Sequence, residues 1–445
     1  MNTRQVSRVL AALALLGSTM AYAQVDPGVR PGANGAGAPL PGLTANELLF
    51  FDAGRDDFAE AEGVGDGLGP RFNLDGCGSC HLQPDIGGTS PAVNPQVAGA
   101  TAFGAQNAVP SFITLNGPIR EARFKWAPGG YPDGGVHALF VISGRVDDTG
   151  NASGCNIVQE NFAQQLAFNN VIFRIPTPVF GLGLMEEIPD KAILNNLAAN
   201  GPLKALKGIS GRVNRNGNDG TIARFGWKAQ NISGLVFSGE AYNVEMGITN
   251  EAFQVERDET PSCQFAQLPN DVTNLEGATP LDTVGAVEKF AFFMRFLAPP
   301  TPSTTQPGGS ASIARGLTAF NNVGCALCHT PTLATGNTTV VALRNQNANL
   351  YSDLAVHNMG PGLADDITQG GASGDEFRTA PLWGLGKRLF FLHDGRTSNL
   401  LTAIQAHQSN SNGFYGPSEA NAVINSFNGL SAGSKQDLLN FLRSL

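Results

Sequence analysis

Two stretches of the chain carry one five-residue pattern, Cys77-Gly-Ser-Cys80-His81 and Cys325-Ala-Leu-Cys328-His329. Two cysteines at this spacing can each form a thioether to a vinyl group of a single porphyrin. The histidine next in line is then placed beneath the iron as its axial ligand. The pattern is the attachment signature of haem c. Two copies predict two covalently bound haems, held by Cys77, Cys80, Cys325 and Cys328, with His81 and His329 as iron ligands. A zinc knuckle or a pair of redox Cys-x-x-Cys motifs are the alternatives. With six cysteines and six histidines in 445 residues, chance does not supply two full copies.

Haem c is attached outside the cytoplasm, and the N-terminus agrees. Arg4 and Arg8 precede the apolar run Val9 to Leu16, and Ala21-Tyr22-Ala23 forms a small-x-small site before Gln24. Residues 1–23 are therefore expected to be a cleavable signal peptide, too short for a membrane span, and the expected compartment is a bacterial periplasm. In an oxidising compartment the two leftover cysteines, Cys155 and Cys263, are expected to pair, two free buried thiols being the alternative.

Without Arg4 and Arg8, 26 Lys and Arg face 37 Asp and Glu, so the formal charge moves from −9 to −11. Such acidity argues against nucleic acid or anionic membrane as a partner, and no later segment is apolar enough to span a bilayer. An acidic surface could steer a basic electron-donor protein, though it also serves plain solubility. The 55 glycines and 27 prolines imply many loops.

The motifs need elements to hold them, and the expected fold is mainly α and loop-rich. Residues 24–43 read as a flexible leader. A helix is predicted from Thr44, its N-cap, to about Phe58, and another from Val284 to Leu297 capped by Asp282 or Thr283. The Pro-rich stretch 298–309 reads as a semi-rigid linker. Beyond it, Ser310 to Asn321 forms a short helix before the second motif, and Ser431 or Ser434 caps a terminal helix. Helix, Cys-x-x-Cys-His, loops and closing helix are what a small cytochrome c-like domain requires. Two are expected, at 44–297 and 310–445, the first with a long insertion at about 95–170.

The halves echo each other elsewhere too. Phe173-Arg174 through Gly181-Leu182-Gly183 matches Phe377-Arg378 through Gly384-Leu385-Gly386 with one residue of slip. More loosely, the segment from Phe225-Gly-Trp227 lies over that from Phe391-Leu-His393.

Several segments carry a resemblance to a known family: Gly67-Leu-Gly-Pro-Arg-Phe-Asn73, Gly181-Leu-Gly-Leu-Met-Glu-Glu-Ile-Pro189, Arg224-Phe-Gly-Trp-Lys-Ala-Gln230, Met246-Gly-Ile-Thr-Asn250, Ser352-Asp-Leu-Ala-Val-His-Asn-Met-Gly360 and Arg378-Thr-Ala-Pro-Leu-Trp-Gly384. From about residue 44 onward the chain resembles the dihaem oxidoreductase family, also labelled thiol oxidoreductase, within the bacterial dihaem cytochrome c peroxidase and MauG superfamily. The resemblance implies two cytochrome c-like domains with haems near their interface. One haem would take electrons from a small donor protein such as a cytochrome c or cupredoxin, and the other would cleave peroxide or another small oxidant. Calcium often sits between such domains, but no calcium loop is visible here.

The second axial position separates an electron carrier from a reactive iron. His137, His357, His393, His407 and the methionines are free for it. In the superfamily a His-Asp-Gly turn precedes the ligating methionine by fourteen residues; here His393-Asp394-Gly395 is followed at that distance by His407. The resemblance thus implies His329 and His407 on the second haem, with His393 behind them. The peroxidases carry a removable distal histidine after their first motif, but Leu82 to Gln106 contains none, as in MauG-like members. The first haem is expected to be open, with His137 or Met246 as the residues that could fill it. Val244-Glu245-Met246-Gly247 resembles the stretch whose glutamate moves the peroxide proton, so Glu245 is the first catalytic candidate and Glu186 the second. Trp126, Trp227 and Trp383 are candidates to lie between the haems. The expected function is a peroxidase-like oxidoreductase. A non-catalytic electron-transfer cytochrome and a MauG-like oxidation of a partner protein are the alternatives.

Overall fold

The structure, a computed structural model, describes residues 24–445; the expected signal peptide lies outside the described residues. Helices dominate, joined by long loops and small sheets. Local capping explains where the main ones begin. Helix α1 (Ala45–Ala59) starts on a capping box in which Thr44 Oγ1 accepts from the Glu47 N–H and Glu47 Oε2 accepts from the Thr44 N–H at 2.7 Å. Ser233 caps α2 (Gly234–Met246), which stops at Gly247 with φ at +72°. Helix α3 (Ala286–Phe296) begins two residues later than expected. Its cap is Asp271, whose carboxylate accepts from the N–H groups of Ala286 and Val287 at 2.7 and 3.0 Å. Asp282 instead closes a capping box on the short Pro280–Thr283 helix. Helix α4 (Ser310–Val323) leads to the second motif, Asn399 caps α5 (Leu400–Gln405), and Ser431 caps α6 (Ala432–Ser444).

The two halves repeat one construction. Gly54 of α1 lies so close to α3 that an added Cβ would stand 2.0 Å from the Lys289 carbonyl oxygen. Gly316 of α4 meets the Asp437 carbonyl of α6 at the same 2.0 Å. One turn later on each helix, Phe58 and Phe320 pack on Phe293 and Phe441, with ring centroids 5.1 and 5.3 Å apart. The matched glycines behave alike too: a Cβ on Gly183 would meet the Arg295 carbonyl, and one on Gly386 the Arg443 carbonyl. Bridges Phe225↔Asn231 and Phe391↔Thr397 close equivalent turns, so the looser sequence match is a structural one.

The insertion supplies β1 (Glu121–Phe124) and β2 (Val136–His137), which join β3 (Val171–Arg174) in an antiparallel sheet with β1 central. Cys155 and Cys263 form a disulfide across 108 residues. In the second half, β4 (Val356–Asn358) pairs with β5 (Glu376–Arg378), Val356 facing Arg378.

The two larger hydrophobic cores follow the halves but exchange pieces. Leu343, Leu350, Leu354 and Trp383 pack into the first core, and Ile209 into the second. A buried ion cluster ties the halves together. Asp365 accepts from Arg174 Nη2 at 2.7 Å and faces Lys228 Nζ at 3.0 Å, and Lys228 also donates to the carbonyls of Ser373 and Glu376. The expected flexible leader is in contact with both cores: Leu40 N–H donates to Phe296 O, Arg30 N–H to Gly386 O, and Asp26 pairs with Arg443 at 2.7 Å. These are single polar contacts and not an apolar stripe, and composition alone does not reveal them. The linker is also bonded, Thr301 N–H to Gly35 O and Ser303 N–H to Ser444 O.

Candidate active site: two cavities of one design

Each Cys-x-x-Cys-His motif lines its own cavity, of about 160 Å³ at Cys77, Cys80 and His81 and about 220 Å³ at Cys325, Cys328 and His329. A void that holds one water needs only about 10–15 Å³, so these are built spaces and not packing defects. Their histidines are set alike. His81 Nδ1 donates to Gly88 O and His329 Nδ1 to Tyr351 O, both at 3.0 Å, which leaves each Nε2 free. Phe58 and Phe320 stand against the two imidazoles. Burial pushes both histidines down to about 4, so each is a neutral ligand base at pH 7. Burial also pushes the Cys77 and Cys325 thiols up to about 12.

The remaining walls differ. In the second cavity His407 sits just past the end of α5, its Nδ1 donating to Ala403 O at 2.8 Å. His407 lies sixteen residues after Phe391, the start of the bridged turn. Sixteen residues after Phe225, the equivalent turn of the first half, stands Ala241 of α2, on the wall of the first cavity. One frame therefore carries an imidazole at one site and a methyl group at the other. His137 is not at the first cavity: it lies on β2, stacked on Phe124 and bonded to Asp133. Met246 is at the first cavity, its Sδ 3.7 Å from Cys77 Sγ.

Two further histidines line the second cavity. His357 is held at both nitrogens, by Asp353 at 3.0 Å and Glu419 at 2.8 Å, and its neighbours keep it protonated despite burial. With Cys328 and Asp353 it makes a trio whose polar atoms lie within 4.8 Å of one another, but Cys328 belongs to the Cys-x-x-Cys-His motif and both imidazole nitrogens are already bonded to carboxylates. His393 is stacked on Phe377, ring centroids 4.3 Å apart.

Glu245, near the end of α2, lines the first cavity and accepts from Asn73 Nδ2 at 2.7 Å. It shares a hydrogen bond with Glu121 of β1, a residue that sequence reasoning missed. Burial, and then the charge of Glu121, holds the Glu245 carboxyl well above the usual carboxylate range. Glu121 goes the other way: burial opposes its ionisation, but the paired Arg123 guanidinium outweighs it. The pair holds one proton, on Glu245, and one charge, on Glu121. The signal was the Glu121-Ala-Arg123 spacing, which on a strand puts both charges on one face. Glu186 is placed elsewhere. It pairs with Arg295 at 2.6 Å and accepts from the Gly234 N–H, capping α2, and lines neither cavity.

Of the tryptophans, Trp227 forms a wall common to both cavities, its Nε1 donating to Ile175 O at 3.0 Å. Trp126 is half exposed, and Trp383 packs against Gly181.

A paired-cavity helical chain with two Cys-x-x-Cys-His motifs has the makings of a dihaem redox protein. The family described as "Di-haem oxidoreductase, putative peroxidase" matches residues 123–445, and the chain belongs to it. No curated protein matches the chain. Among solved structures it is similar to hydrazine synthase of Kuenenia stuttgartiensis, at 17% identity over 38% of this chain and 56% of that one, TM-score 0.24. A MauG-like protein associated with microbial copper homeostasis is 20% identical over 36% and 52%, TM-score 0.25. The diheme peroxidase BthA from Burkholderia thailandensis E264 is 14% identical over 50% and 65%, TM-score 0.28. The chain thus spans about half to two thirds of the length of these structures, and TM-scores this low define no shared overall architecture.

The residues present fit a haem at each cavity. Each cavity offers two cysteines without a disulfide partner, one neutral imidazole with a free Nε2, and walls that are mainly apolar. Among the described residues, no helix is long and apolar enough to cross a membrane.

Proposed function

We propose that the chain is a periplasmic dihaem c-type oxidoreductase with peroxidase-like activity, electrons entering at the C-terminal haem and a small oxidant being reduced at the N-terminal one. The observation that carries this reading is that His407 lines the second cavity while Ala241, the same sixteen residues beyond the matched turn, lines the first. When bound, haem supplies at each cavity an iron that exchanges single electrons and, where its sixth position is open, receives a small ligand.

The side chains supply the rest. Cys77 and Cys80, and Cys325 and Cys328, anchor the groups covalently. His81 and His329 present Nε2 to their cavities because Nδ1 is held by a backbone carbonyl. His407, on the wall of the same cavity as His329 and with its Nε2 unbonded, would supply a second imidazole to that haem, and the site would then serve as a carrier of electrons. At the first site Glu245 keeps a proton on its carboxyl at neutral pH, and Asn73 fixes the group in place. An acid placed there would give its proton to the departing oxygen of peroxide as the O–O bond breaks. The peroxide's own proton then needs a base, and the charged Glu121 beside Glu245 is the carboxylate present for it. Trp227, shared by both walls, occupies the space between the sites. A small donor protein, a cytochrome c or cupredoxin, would deliver electrons to the second site.

Peroxide added to the fully reduced protein tests the reading. Both haems should be oxidised, the second at the rate of the first or behind it, and cyanide should block both. Slow oxidation of both haems that cyanide leaves unaffected would contradict it.

A further inference from the structure

Eight arginines are buried, and five have a carboxylate partner: Arg123 with Glu121, Arg145 with Asp75 and Asp147, Arg174 with Asp365, Arg224 with Asp190, and Arg443 with Asp26. Arg30, Arg378 and Arg388 have none among the described residues. Arg30 lies outside both cavities and donates to Thr301 O. Arg378 and Arg388 both line the second cavity. Arg378 Nε donates to Gly226 O at 2.8 Å and Arg388 Nε to Phe390 O at 3.1 Å, while Arg388 Nη2 is buried with no partner at all. Two guanidinium groups, 7% and 9% exposed, thus share one cavity with no carboxylate paired to either, because Glu419 on the same wall is taken up by His357 and Ser210.

A buried, unpaired cation is strongly destabilising, and a guanidinium fork matches a carboxylate in geometry. A haem in this cavity brings two carboxylates of its own, the propionates. We infer that Arg378 and Arg388 are the counter-ions of the propionates of the second haem. They then fix how that haem sits in the cavity and hold its potential up. The assignment rests on the reading that a haem occupies the second cavity. The first half is built differently: its equivalent of Arg378 is Arg174, already neutralised by Asp365.

The test is the midpoint potential of each haem in the intact dihaem protein, by spectroelectrochemistry at fixed pH, with haem content measured in parallel. Arg388→Gln and Arg378→Gln should retain two haems per chain. Each should lower the potential of the second haem, because an unpaired propionate anion favours the ferric state, and leave the first unchanged. Arg388→Lys restores a cation and should recover part of the loss. If Arg378→Gln fails to fold, the Arg388 pair decides. Two bound haems with unchanged potentials in the Gln variants overturn the assignment alone, as does Arg388→Lys falling as far as Arg388→Gln. The first outcome would arise if the guanidiniums awaited an anionic substrate instead. A wild-type chain with no haem at Cys325 and Cys328 overturns the haem reading together with this one.

Discussion

Ala241 stands in the first half where His407 stands in the second, sixteen residues beyond the phenylalanine that opens the same bridged turn. A duplicated frame that keeps its anchoring cysteines and proximal histidine but loses one imidazole makes two unequal sites. At this matched position the sites differ by one side chain, so it can be exchanged.

Ala241→His should therefore place an imidazole over the first cavity and convert that haem to a six-coordinate, low-spin state. Peroxide and cyanide binding should fall by an order of magnitude or more, while the second haem is unchanged. The reciprocal His407→Ala should open the second haem, seen as a new high-spin signal. If His407→Ala is silent and Met359→Ala or His393→Ala changes that spectrum, the frame-to-frame equivalence is wrong.

Glu245→Gln should preserve cyanide binding and slow peroxide cleavage by about 100-fold or more, the usual scale for a positioned general acid. Glu186→Gln, altering a residue away from both cavities, should leave the chemical step intact.

The carboxyl pair also sets a pH dependence. The Glu245 carboxyl is held up by burial and by Glu121, so its proton is present at neutral pH and lost only as pH rises through the raised value. Activity that needs this proton declines on the alkaline side. Glu121→Gln removes the neighbouring charge, lowers the Glu245 value, and should move that alkaline limb to lower pH. A limb that stays put or moves up would contradict the shared-proton arrangement.

Much of this was legible in the sequence because it is local. The haem motifs, the Thr44 helix cap, the leftover cysteine pair and the repeated Gly-Leu-Gly turns lie in short segments. What was hidden depends on distant partners. Glu121 reaches Glu245 only because the insertion strand β1 pairs with β3, which no local spacing reveals. Asp271 caps α3 from outside the helix, and Asp26 anchors the leader through Arg443 at the other end of the chain. Glu186 belongs to a motif-rich segment, but a motif does not say which way a side chain turns. Here Arg295 and the N-terminus of α2 claim it.

Asp365→Asn should destabilise the fold by about 3–5 kcal/mol, because it leaves Arg174 and Lys228 buried without their shared counter-ion. Denaturant unfolding monitored at the haem bands reads this. A loss below about 1 kcal/mol, the scale of an exposed pair, would contradict the buried cluster.

The Cys155–Cys263 disulfide closes a span of 108 residues, so its removal by Cys155→Ser/Cys263→Ser should cost about 4–5 kcal/mol in the chain-entropy model. Thiol labelling of the denatured, unreduced wild-type protein should find no free cysteine; two would exclude the bridge.

The inequality of the two haems is the central claim, and an electron paramagnetic resonance spectrum of the oxidised wild-type protein, with and without cyanide, tests it most directly. The structure predicts one high-spin and one low-spin haem in equal amounts. Cyanide should convert the high-spin signal alone to low-spin. Two low-spin haems that cyanide leaves untouched would contradict the account and make the protein an electron carrier.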